Sequence, residues 1–300
     1  MRNASTGNKK IVISASRRTD IPGHYTPWFM ECIRNKRFTV TNPFNRTAKT
    51  VLASPEHVHT IVFWSKNYGP FMDLDAHKRL TDIGYNLFFN FTVNTENPLL
   101  EPGIPPLAQR LKQVAQLTRD SPPDTIIWRF DPICFFSVNG QQTNNLKGFA
   151  AIADAMADSG ITRCVSSFYD PYHKVDRRIK RLAMQGGPMI KFIEPPVTVQ
   201  KRVIEKMANH LRTKNISLYL CCEAGLMLTL GEIPNLKPNA CIDGTRYQTL
   251  FGGSLETRPD YGQRRTLGCR CTKSVDVGDY NHHPCPHNCL FCYARTKPSP

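Results

Sequence analysis

The residues of this chain with the clearest chemical potential are three cysteines near its C-terminal end. Cys285, Cys289 and Cys292 are spaced C-x3-C-x2-C, and the aromatic Phe291 stands directly before the last thiol. Iron–sulfur clusters are bound by cysteine thiolates, and three thiolates in one short loop can occupy three neighbouring corners of a four-iron cubane. The spacing therefore predicts a 4Fe–4S cluster whose fourth iron has no protein ligand.

Two further cysteines, Cys269 and Cys271, lie shortly upstream and are predicted to be additional metal ligands. Five of the chain's 11 cysteines thus fall between Cys269 and Pro300. A structural zinc site is the main alternative, because zinc takes four Cys or His ligands, typically from paired C-x2-C knuckles. Only Cys289 and Cys292 form such a knuckle, so the pattern favours iron–sulfur over zinc, and disulfides are less favoured than either.

The C-x3-C-x2-C spacing resembles the signature of the radical S-adenosylmethionine (SAM) enzymes. The resemblance implies that the open iron chelates the amino and carboxylate groups of SAM, and that an electron from the cluster releases a deoxyadenosyl radical. An external electron donor then has to reduce the cluster. In those enzymes the cysteine loop follows the first barrel strand, whereas only eight residues follow Cys292 here. We therefore expect the loop to reach the same place from the other end of the chain.

Length and hydropathy indicate where the protein works. A chain of 300 residues is long enough for one barrel-sized α/β domain with a tail. It contains no apolar run of about 18 residues, and Met1–Lys10 is polar, so neither a membrane span nor a secretion signal is predicted. We expect a cytoplasmic protein, and in that reducing compartment clustered cysteines typically bind metals or catalyse reactions.

The charge of the chain favours anionic partners. Its 39 Lys and Arg residues outnumber 24 Asp and Glu residues, which gives a net charge of +15 and predicts an anionic small-molecule substrate. The most basic stretch places Lys174, Arg177, Arg178 and Arg181 on one helical face. Without interleaved aromatic residues for base stacking, this face is expected to be a solvated helix surface, and nucleic acid is the less favoured partner.

Short apolar runs alternate with stretches of helical period, which is typical of βαβ units. The predicted strands are Lys10–Ser16, Thr60–Ser65, Asn86–Thr92, Thr125–Asp131, Arg163–Phe168 and Ser217–Glu223. The predicted helices are Pro22–Asn35, Pro70–Ile83, Pro105–Arg119, Asn145–Asp158, Tyr172–Met184 and Val197–Thr213. We predict an α/β fold in which residues 1–251 form a closed or partly closed (β/α) barrel of the TIM type. Residues 252–300 are predicted to be an irregular, cysteine-rich tail that binds the metal cluster and packs on the barrel mouth.

Ligands of α/β proteins bind beyond the carboxyl ends of the parallel strands, and in this chain those positions are polar. The candidate catalytic residues are Arg17, Arg18, Asp20, Lys66, Arg129, Asp131 and Glu223. The candidate cofactor-binding residues are Ser16, Asn90, Thr92, Ser167 and Tyr169. The alternative is that such residues are ordinary turn residues and helix caps, as Asp20 before Pro22 suggests. Arg17, Arg129 and Glu223 are the strongest candidates, because each interrupts or ends an apolar run, where an unpaired charge is costly.

The remaining cysteines lie in or beside apolar runs. They are Cys32, Cys134, Cys164, Cys221, Cys222 and Cys241. We expect them to pack as small hydrophobic residues and assign them no chemistry.

Three segments of the chain resemble the domain-of-unknown-function family 1848. They are Ile13–Pro22, with the sequence ISASRRTDIP, then Asn42-Pro43-Phe44-Asn45, and the stretch from Cys269 through Cys292-Tyr293-Ala294. The resemblance covers nearly the whole chain. It implies a bacterial or archaeal protein without an assigned activity, and it names no substrate.

Three functional hypotheses follow. The first is a radical-SAM-like iron–sulfur enzyme that acts on an anionic substrate. The second keeps the cluster but closes it with a fourth thiolate from Cys269 or Cys271, for electron transfer or structural support. The third is a zinc-stabilised hydrolase or nucleic-acid-binding protein, which the charge of +15 motivates.

Overall fold

The computed structural model describes residues 9–42 and 45–294. Pro43 and Phe44, which belong to one of the family-like segments, and the end of the predicted tail after Ala294 lie outside the described residues. Within them the strands are β1 (Ile11–Ala15), β2 (Arg37–Thr41), β3 (Ala48–Leu52), β4 (Val58–Ser65), β5 (Asn86–Thr92), β6 (Ile126–Ile133), β7 (Phe135–Val138), β8 (Gln141–Asn144), β9 (Arg163–Phe168), β10 (Ile190–Ile193), β11 (Ser217–Leu220), β12 (Leu236–Pro238) and β13 (Val275–Asp276).

The α-helices of the same residues lie mostly between these strands. They are α1 (Ile21–His24), α2 (Thr26–Arg34), α3 (Gly69–Asp73), α4 (Ala76–Ile83), α5 (Leu107–Asp120), α6 (Phe149–Asp158), α7 (His173–Met184), α8 (Val197–Thr213), α9 (Ala224–Leu230) and α10 (Gly244–Phe251). Two predicted helices are each divided in two. Tyr25, with φ −130°, separates α1 from α2, and Asp75, in the left-handed region at φ 47°, precedes α4. None of the described helices combines the length and the hydropathy that a membrane span requires.

The centre of the fold is an eight-stranded parallel sheet in the order β12-β11-β9-β6-β5-β4-β1-β13. Its inner strands are apolar along almost their whole length, as in sheets covered on both faces. In β4, for example, seven of the eight residues are buried. All six predicted strands are present in this sheet, although β11 ends three residues earlier than predicted.

The predicted closed or partly closed barrel is wrong, because the sheet is open. It ends at β12 on one side and at β13 on the other, and among the described residues no backbone ladder joins these two strands. Both edge strands are very short, Leu236–Pro238 and Val275–Asp276, and Pro238 has no N–H to donate to a further ladder. Alternation of strands and helices predicts parallel neighbours, but it does not determine whether the two edges of a sheet pair.

Side chains of the sheet alternate between two faces. One face, which carries Ile61 and Phe63, packs under most of the helices in the largest hydrophobic core. The other face carries Val12 and Val62 and packs against α10 and the C-terminal segment, for instance through Tyr247. Polar residues at the carboxyl ends of the strands therefore point either toward the helical layer or toward this second, thinner layer.

Two smaller antiparallel sheets complete the fold. Strands β2 and β3 pair as a hairpin, and β10, β7 and β8 form a three-stranded sheet. Strands β7 and β8 had no counterpart among the predicted strands, since Gln141–Asn144 is polar and largely exposed. This small sheet stands beside the carboxyl end of β6, from which β7 directly continues.

Candidate active site

The terminal cysteine loop, residues 285–292, lies at the carboxyl ends of β1 and β4. His287 is 2.8 Å from the carboxylate of Asp20, which follows β1. The aromatic ring of Phe291 lies 5.3 Å from the ammonium of Lys66, which follows β4. The loop therefore reaches the carboxyl ends of the strands, where ligands of parallel α/β proteins bind.

Arg178, on α7, holds the backbone of the terminal cysteine loop. Its Nη1 donates to the carbonyls of Cys289 at 2.7 Å and Leu290 at 3.1 Å. Its Nη2 donates to the carbonyl of Cys292 at 3.0 Å. Arg178 belongs to the basic face that was expected to be a solvated helix surface, and for this residue that expectation is wrong. In the sequence, the only indication of a role for Arg178 was its place within that basic run.

The segment before α5 supports the other side of the loop. The Gly103 N–H donates to the carbonyl of His287 at 3.0 Å, and the Leu290 N–H donates to the carbonyl of Leu100 at 2.7 Å. The two segments approach so closely that a Cβ on Gly103 would lie 2.8 Å from the Cα of His287. Glycine at this position is therefore required for docking of the loop.

Asp20 connects the terminal cysteine loop to the first two strands. Its carboxylate caps α1 through the Gly23 N–H at 2.7 Å, accepts from the Ser65 hydroxyl at 2.7 Å and the Lys66 N–H at 2.9 Å, and faces His287. Burial alone would raise the pKa of Asp20, but the hydrogen bond and charge of His287 outweigh it and the pKa is lowered. Asp20 is thus both the predicted helix cap and a contact of the loop.

The thiols of the loop are held in a low-dielectric environment. Burial raises the pKa of Cys289 and Cys292, and it raises the pKa of Cys285 to about 12. Lys66 opposes this effect at Cys289 and Cys292, because its positive charge favours the thiolates. Lys66 itself is paired with Glu101, at 2.5 Å. Without a metal these thiols remain protonated at neutral pH, so metal binding has to displace their protons.

The donor set of the loop fits the predicted 4Fe–4S cluster in its chemistry. The three thiols influence one another electrostatically, and the cation of Lys66 stands beside two of them. Among residues 9–42 and 45–294, no three His, Cys, Asp or Glu side chains surround a ready-made position for one metal ion. A cubane places each thiolate on a different iron, so its ligands stand farther apart than those of a single ion.

A second cluster of polar side chains surrounds Trp64 on the face of the sheet that packs against the thinner layer. The guanidinium groups of Arg17 and Arg129 lie 5.6 Å and 5.4 Å from the indole ring. Arg129 forms an ion pair with Asp131, and Asp131 also accepts from the Ser167 hydroxyl at 2.5 Å. The structure thus brings together four of the candidate residues predicted from strand ends.

Several polar atoms in this region are buried without a hydrogen-bond partner among the described residues. They include Nη2 of Arg17 and both amide atoms of Asn90. Asn90 is 1% exposed, and the candidate Thr92 follows it on the same face, beside Arg129 in the β5–β6 ladder. Buried polar groups are normally satisfied, so these atoms have a hydrogen-bonding capacity that no described residue uses.

Asp276, on β13, orders the turn after β1. It accepts from the Ser16 hydroxyl at 2.5 Å, the Arg17 N–H at 2.8 Å and the Ser14 hydroxyl at 3.0 Å. Arg18 lies 4.0 Å from the same carboxylate and donates to the carbonyl of Gly278. The candidates Ser16 and Arg18 therefore have structural partners. A two-residue edge strand gave no periodic signal, and Asp276 was not predicted.

A family model described as a domain of unknown function (DUF1848) matches residues 12–294. The chain belongs to this family. The match includes the strand-end residues from Arg17 onward and all the cysteines from Cys32 to Cys292. No curated protein matches the chain. The family assignment of the DUF1848 chain thus agrees with the resemblance found in its sequence, and function has to be argued from its own residues.

Glu223 and Tyr169 of the DUF1848 chain line a small cleft of about 90 Å³. Glu223 accepts from the Phe168 N–H at 2.8 Å, and burial raises its pKa to about 7. Tyr169 stacks on Phe192 with ring centroids 4.2 Å apart, and burial raises its pKa to about 12. Both residues are candidates predicted from the sequence, and Tyr169 packs against the apolar cluster that includes Cys289, Leu290 and Phe291 of the terminal loop.

Cys269 and Cys271 of the DUF1848 chain contact a different set of cysteines from the terminal loop. Cys269 and Cys271 are buried in one cluster with Cys241, and Cys221 and Cys222 pack against that cluster. Cys221 lies within 3.1 Å of Cys241, sulfur to sulfur. The sequence did not predict this meeting of five cysteines, although the adjacent pair Cys221-Cys222 at a strand end was an available signal.

Proposed function

We propose that the DUF1848 chain is a radical-SAM-like enzyme that binds a 4Fe–4S cluster through Cys285, Cys289 and Cys292 and acts on an anionic substrate. The observation that carries the proposal is the docking of this C-x3-C-x2-C loop at the carboxyl ends of β1 and β4, through Asp20 and Lys66. The resemblance to radical SAM enzymes supplies the reaction type. The free thiols suit a reducing, cytoplasmic compartment.

When bound, such a cluster supplies one electron, obtained from an external donor, for the reductive cleavage of SAM. The chain's own residues prepare the site for it. Lys66 places a positive charge beside Cys289 and Cys292 and so favours their thiolates. Arg178 fixes the backbone that presents both sulfurs.

The anionic substrate is proposed to bind around Trp64. Arg17 has a buried guanidinium nitrogen without a partner, and Asn90 offers both an amide donor and an acceptor. A guanidinium binds carboxylate or phosphate groups through two parallel hydrogen bonds. Arg129 is held by Asp131, so we propose that it orients the substrate by charge while Arg17 binds it directly.

The test is an anaerobic activity measurement. Protein reconstituted with iron and sulfide, supplied with SAM and dithionite as electron donor, is expected to release 5′-deoxyadenosine. Cys289→Ala should abolish release, whereas Cys32→Ala, at a half-buried cysteine on α2, should not. Cluster-loaded protein that yields no 5′-deoxyadenosine, with or without candidate anionic substrates, contradicts the proposal.

A cluster closed by Cys269 or Cys271 is the less supported alternative. These residues pack with Cys221, Cys222 and Cys241, whereas Cys289 and Cys292 belong to a different apolar cluster, which favours a separate role for Cys269 and Cys271. Electron paramagnetic resonance of the reduced cluster distinguishes the two forms. An open iron predicts that added SAM changes the spectrum, and a cluster with four thiolates predicts no change.

A further inference from the structure

Five cysteines of the thinner layer pack together in a group that we call the cysteine ring. Its members are Cys221, Cys222, Cys241, Cys269 and Cys271. Cys241, Cys269 and Cys271 are buried in one cluster, and Cys221 and Cys222 pack against it. The printed sulfur–sulfur distances are 3.1 Å for Cys221–Cys241 and 3.8 Å for Cys221–Cys222.

Three separate parts of the chain bring these sulfurs together. Cys221 and Cys222 follow β11, Cys241 follows β12, and Cys269 and Cys271 come from the irregular C-terminal segment. Cysteines that merely fill apolar space have no reason to converge from distant segments upon one another. The convergence indicates that the sulfurs share a common ligand.

Hydrogen-bond donors point at the sulfurs of the cysteine ring. Cys241 Sγ accepts from Asn239 Nδ2 at 3.1 Å and from Arg129 Nη1 at 3.4 Å. Cys271 Sγ accepts from the Ile242 N–H at 3.3 Å. Donors of this kind stabilise thiolates, as they do around metal-bound cysteine sulfurs. An uncharged core of thiols would not need them.

We propose that the cysteine ring is a second metal centre, in which Cys221, Cys241, Cys269 and Cys271 hold one divalent transition-metal ion, zinc or iron, as four thiolates. Cys222 is the remaining member and is assigned no ligand role, because its sulfur lies 3.8 Å from Cys221, whereas Cys221 lies 3.1 Å from Cys241. This centre uses none of the cysteines of the terminal loop.

The charges around the ring favour thiolates. Four thiolates and a divalent cation carry a net charge of −2. Arg129 donates directly to Cys241, and Arg17, whose charge acts on Cys241 and Cys271, has a buried nitrogen without a partner among the described residues. The two guanidinium groups offset part of the negative charge, since Arg129 is also paired with Asp131.

Binding requires the cysteine ring to open around the ion. No ready-made ion position exists among the described residues. Metal–sulfur bonds of about 2.3 Å in a tetrahedron separate neighbouring sulfurs by about 3.8 Å. Cys221 and Cys241, at 3.1 Å, therefore have to move apart by less than the radius of a sulfur atom. Tetrahedral coordination by four sulfurs is typical of zinc and of iron.

The experiment uses the full chain with Cys285, Cys289 and Cys292 all replaced by alanine, so that the result is independent of the cluster proposed above. Metal and sulfide are measured after anaerobic purification. We expect a single zinc or iron per chain without sulfide. Adding Cys241→Ala or Cys271→Ala should remove the metal, whereas adding Cys222→Ala or Cys32→Ala should retain it. Zinc and iron are distinguished by elemental analysis.

A second measurement covers the case in which a ring variant does not fold. In the unmutated chain, alkylation followed by peptide mapping should find Cys221, Cys241, Cys269 and Cys271 protected, and a chelator should make all four reactive. The proposal is overturned if these cysteines are metal-free and alkylate at equal rates with and without chelator. It is also overturned if sulfide is lost together with the ring, since that outcome assigns an iron–sulfur cluster to these residues.

Discussion

Arg178 Nη1 donates to the carbonyl oxygen of Cys289 at 2.7 Å, so the helix between β9 and β10 is attached to a loop 111 residues later in the chain. The same guanidinium also reaches the carbonyls of Leu290 and Cys292. A planar group with several fixed donors can satisfy several carbonyls at once, which a lysine ammonium does less well. This relationship makes Arg178 the principal side-chain support of the terminal cysteine loop.

Arg178→Ala is expected to loosen the terminal cysteine loop and to reduce its iron content. Hydrogen bonds from a charged donor contribute about 1.5–3 kcal/mol each, so their loss should be visible as faster amide exchange across residues 285–294. Hydrogen exchange followed by mass spectrometry measures this. Arg177→Ala, on the exposed side of the same helix, is the control and should leave exchange unchanged. Equal protection in both variants would argue against the support by Arg178.

Gly103→Ala is expected to displace the loop without removing any side-chain contact. The new Cβ would lie 2.8 Å from both the Cα and the carbonyl oxygen of His287, and relief of such overpacking costs about 1–3 kcal/mol. Urea denaturation and hydrogen exchange of the loop test this. Gly225→Ala is the matched control, because a Cβ there meets no atom within 4 Å. Similar stability of the two variants would show that the contact is not tight.

Asp20→Asn is expected to destabilise the fold by about 1–3 kcal/mol, the cost of leaving a buried hydrogen-bonding group without its partner. The side chain lies 2.8 Å from His287 and caps α1. A double-mutant cycle with His287→Ala, measured by urea denaturation, should show that the two changes are not additive. If the two changes in the free energy of unfolding were strictly additive, the contact between Asp20 and His287 would contribute nothing to stability. Asp75→Asn, at a helix start without a side-chain cap, is the control and should have little effect.

His59 is expected to make stability depend on pH. Its ring is 3% exposed, and burial lowers its pKa below 6.5. The unfolded chain therefore binds this proton more readily than the folded chain, and the free energy of unfolding falls as the pH decreases from about 6.5 toward the lowered pKa. His59→Gln should remove this part of the slope in urea denaturation at a series of pH values.

The control for that series is His57→Gln, at the exposed histidine two residues earlier. Its slope should equal that of the unmodified chain. Loss of the slope in both variants, or in neither, would mean that His59 does not titrate as its burial predicts. His59 lies 2.7 Å from the carbonyl of Gly252, outside both cysteine groups, so metal content should not affect the outcome.

Local patterns in the sequence predicted the local structure well. Apolar runs such as Asn86–Thr92 match a strand of the structure at both ends, since β-branched and aromatic residues fit a buried sheet. Closure of the sheet was wrongly predicted, because it depends on the edges, where Pro238 and the two-residue strand β13 stop the ladder. Strands β7 and β8 were missed because a polar hairpin resembles a loop.

The candidate site was predicted where a general rule applies and missed where contacts are long-range. The rule that ligands bind at the carboxyl ends of strands correctly placed Asp20 and Lys66 beside one another. No sequence pattern links Arg178 to Cys289, or Cys221 to Cys241, since these pairs meet only through tertiary packing. The roles of all these residues in binding metal or substrate remain predictions.

The position of β13 in the sequence means that the central sheet is completed late in synthesis on the ribosome. This strand is translated after every other strand of the central sheet, yet it pairs directly with β1, the first. Until Asp276 emerges, the turn that carries Arg17 lacks its acceptor. Both proposed metal centres draw on the same late segment, so we expect their loading only after synthesis of the sheet has finished, when a nascent chain first presents complete centres to metal ions.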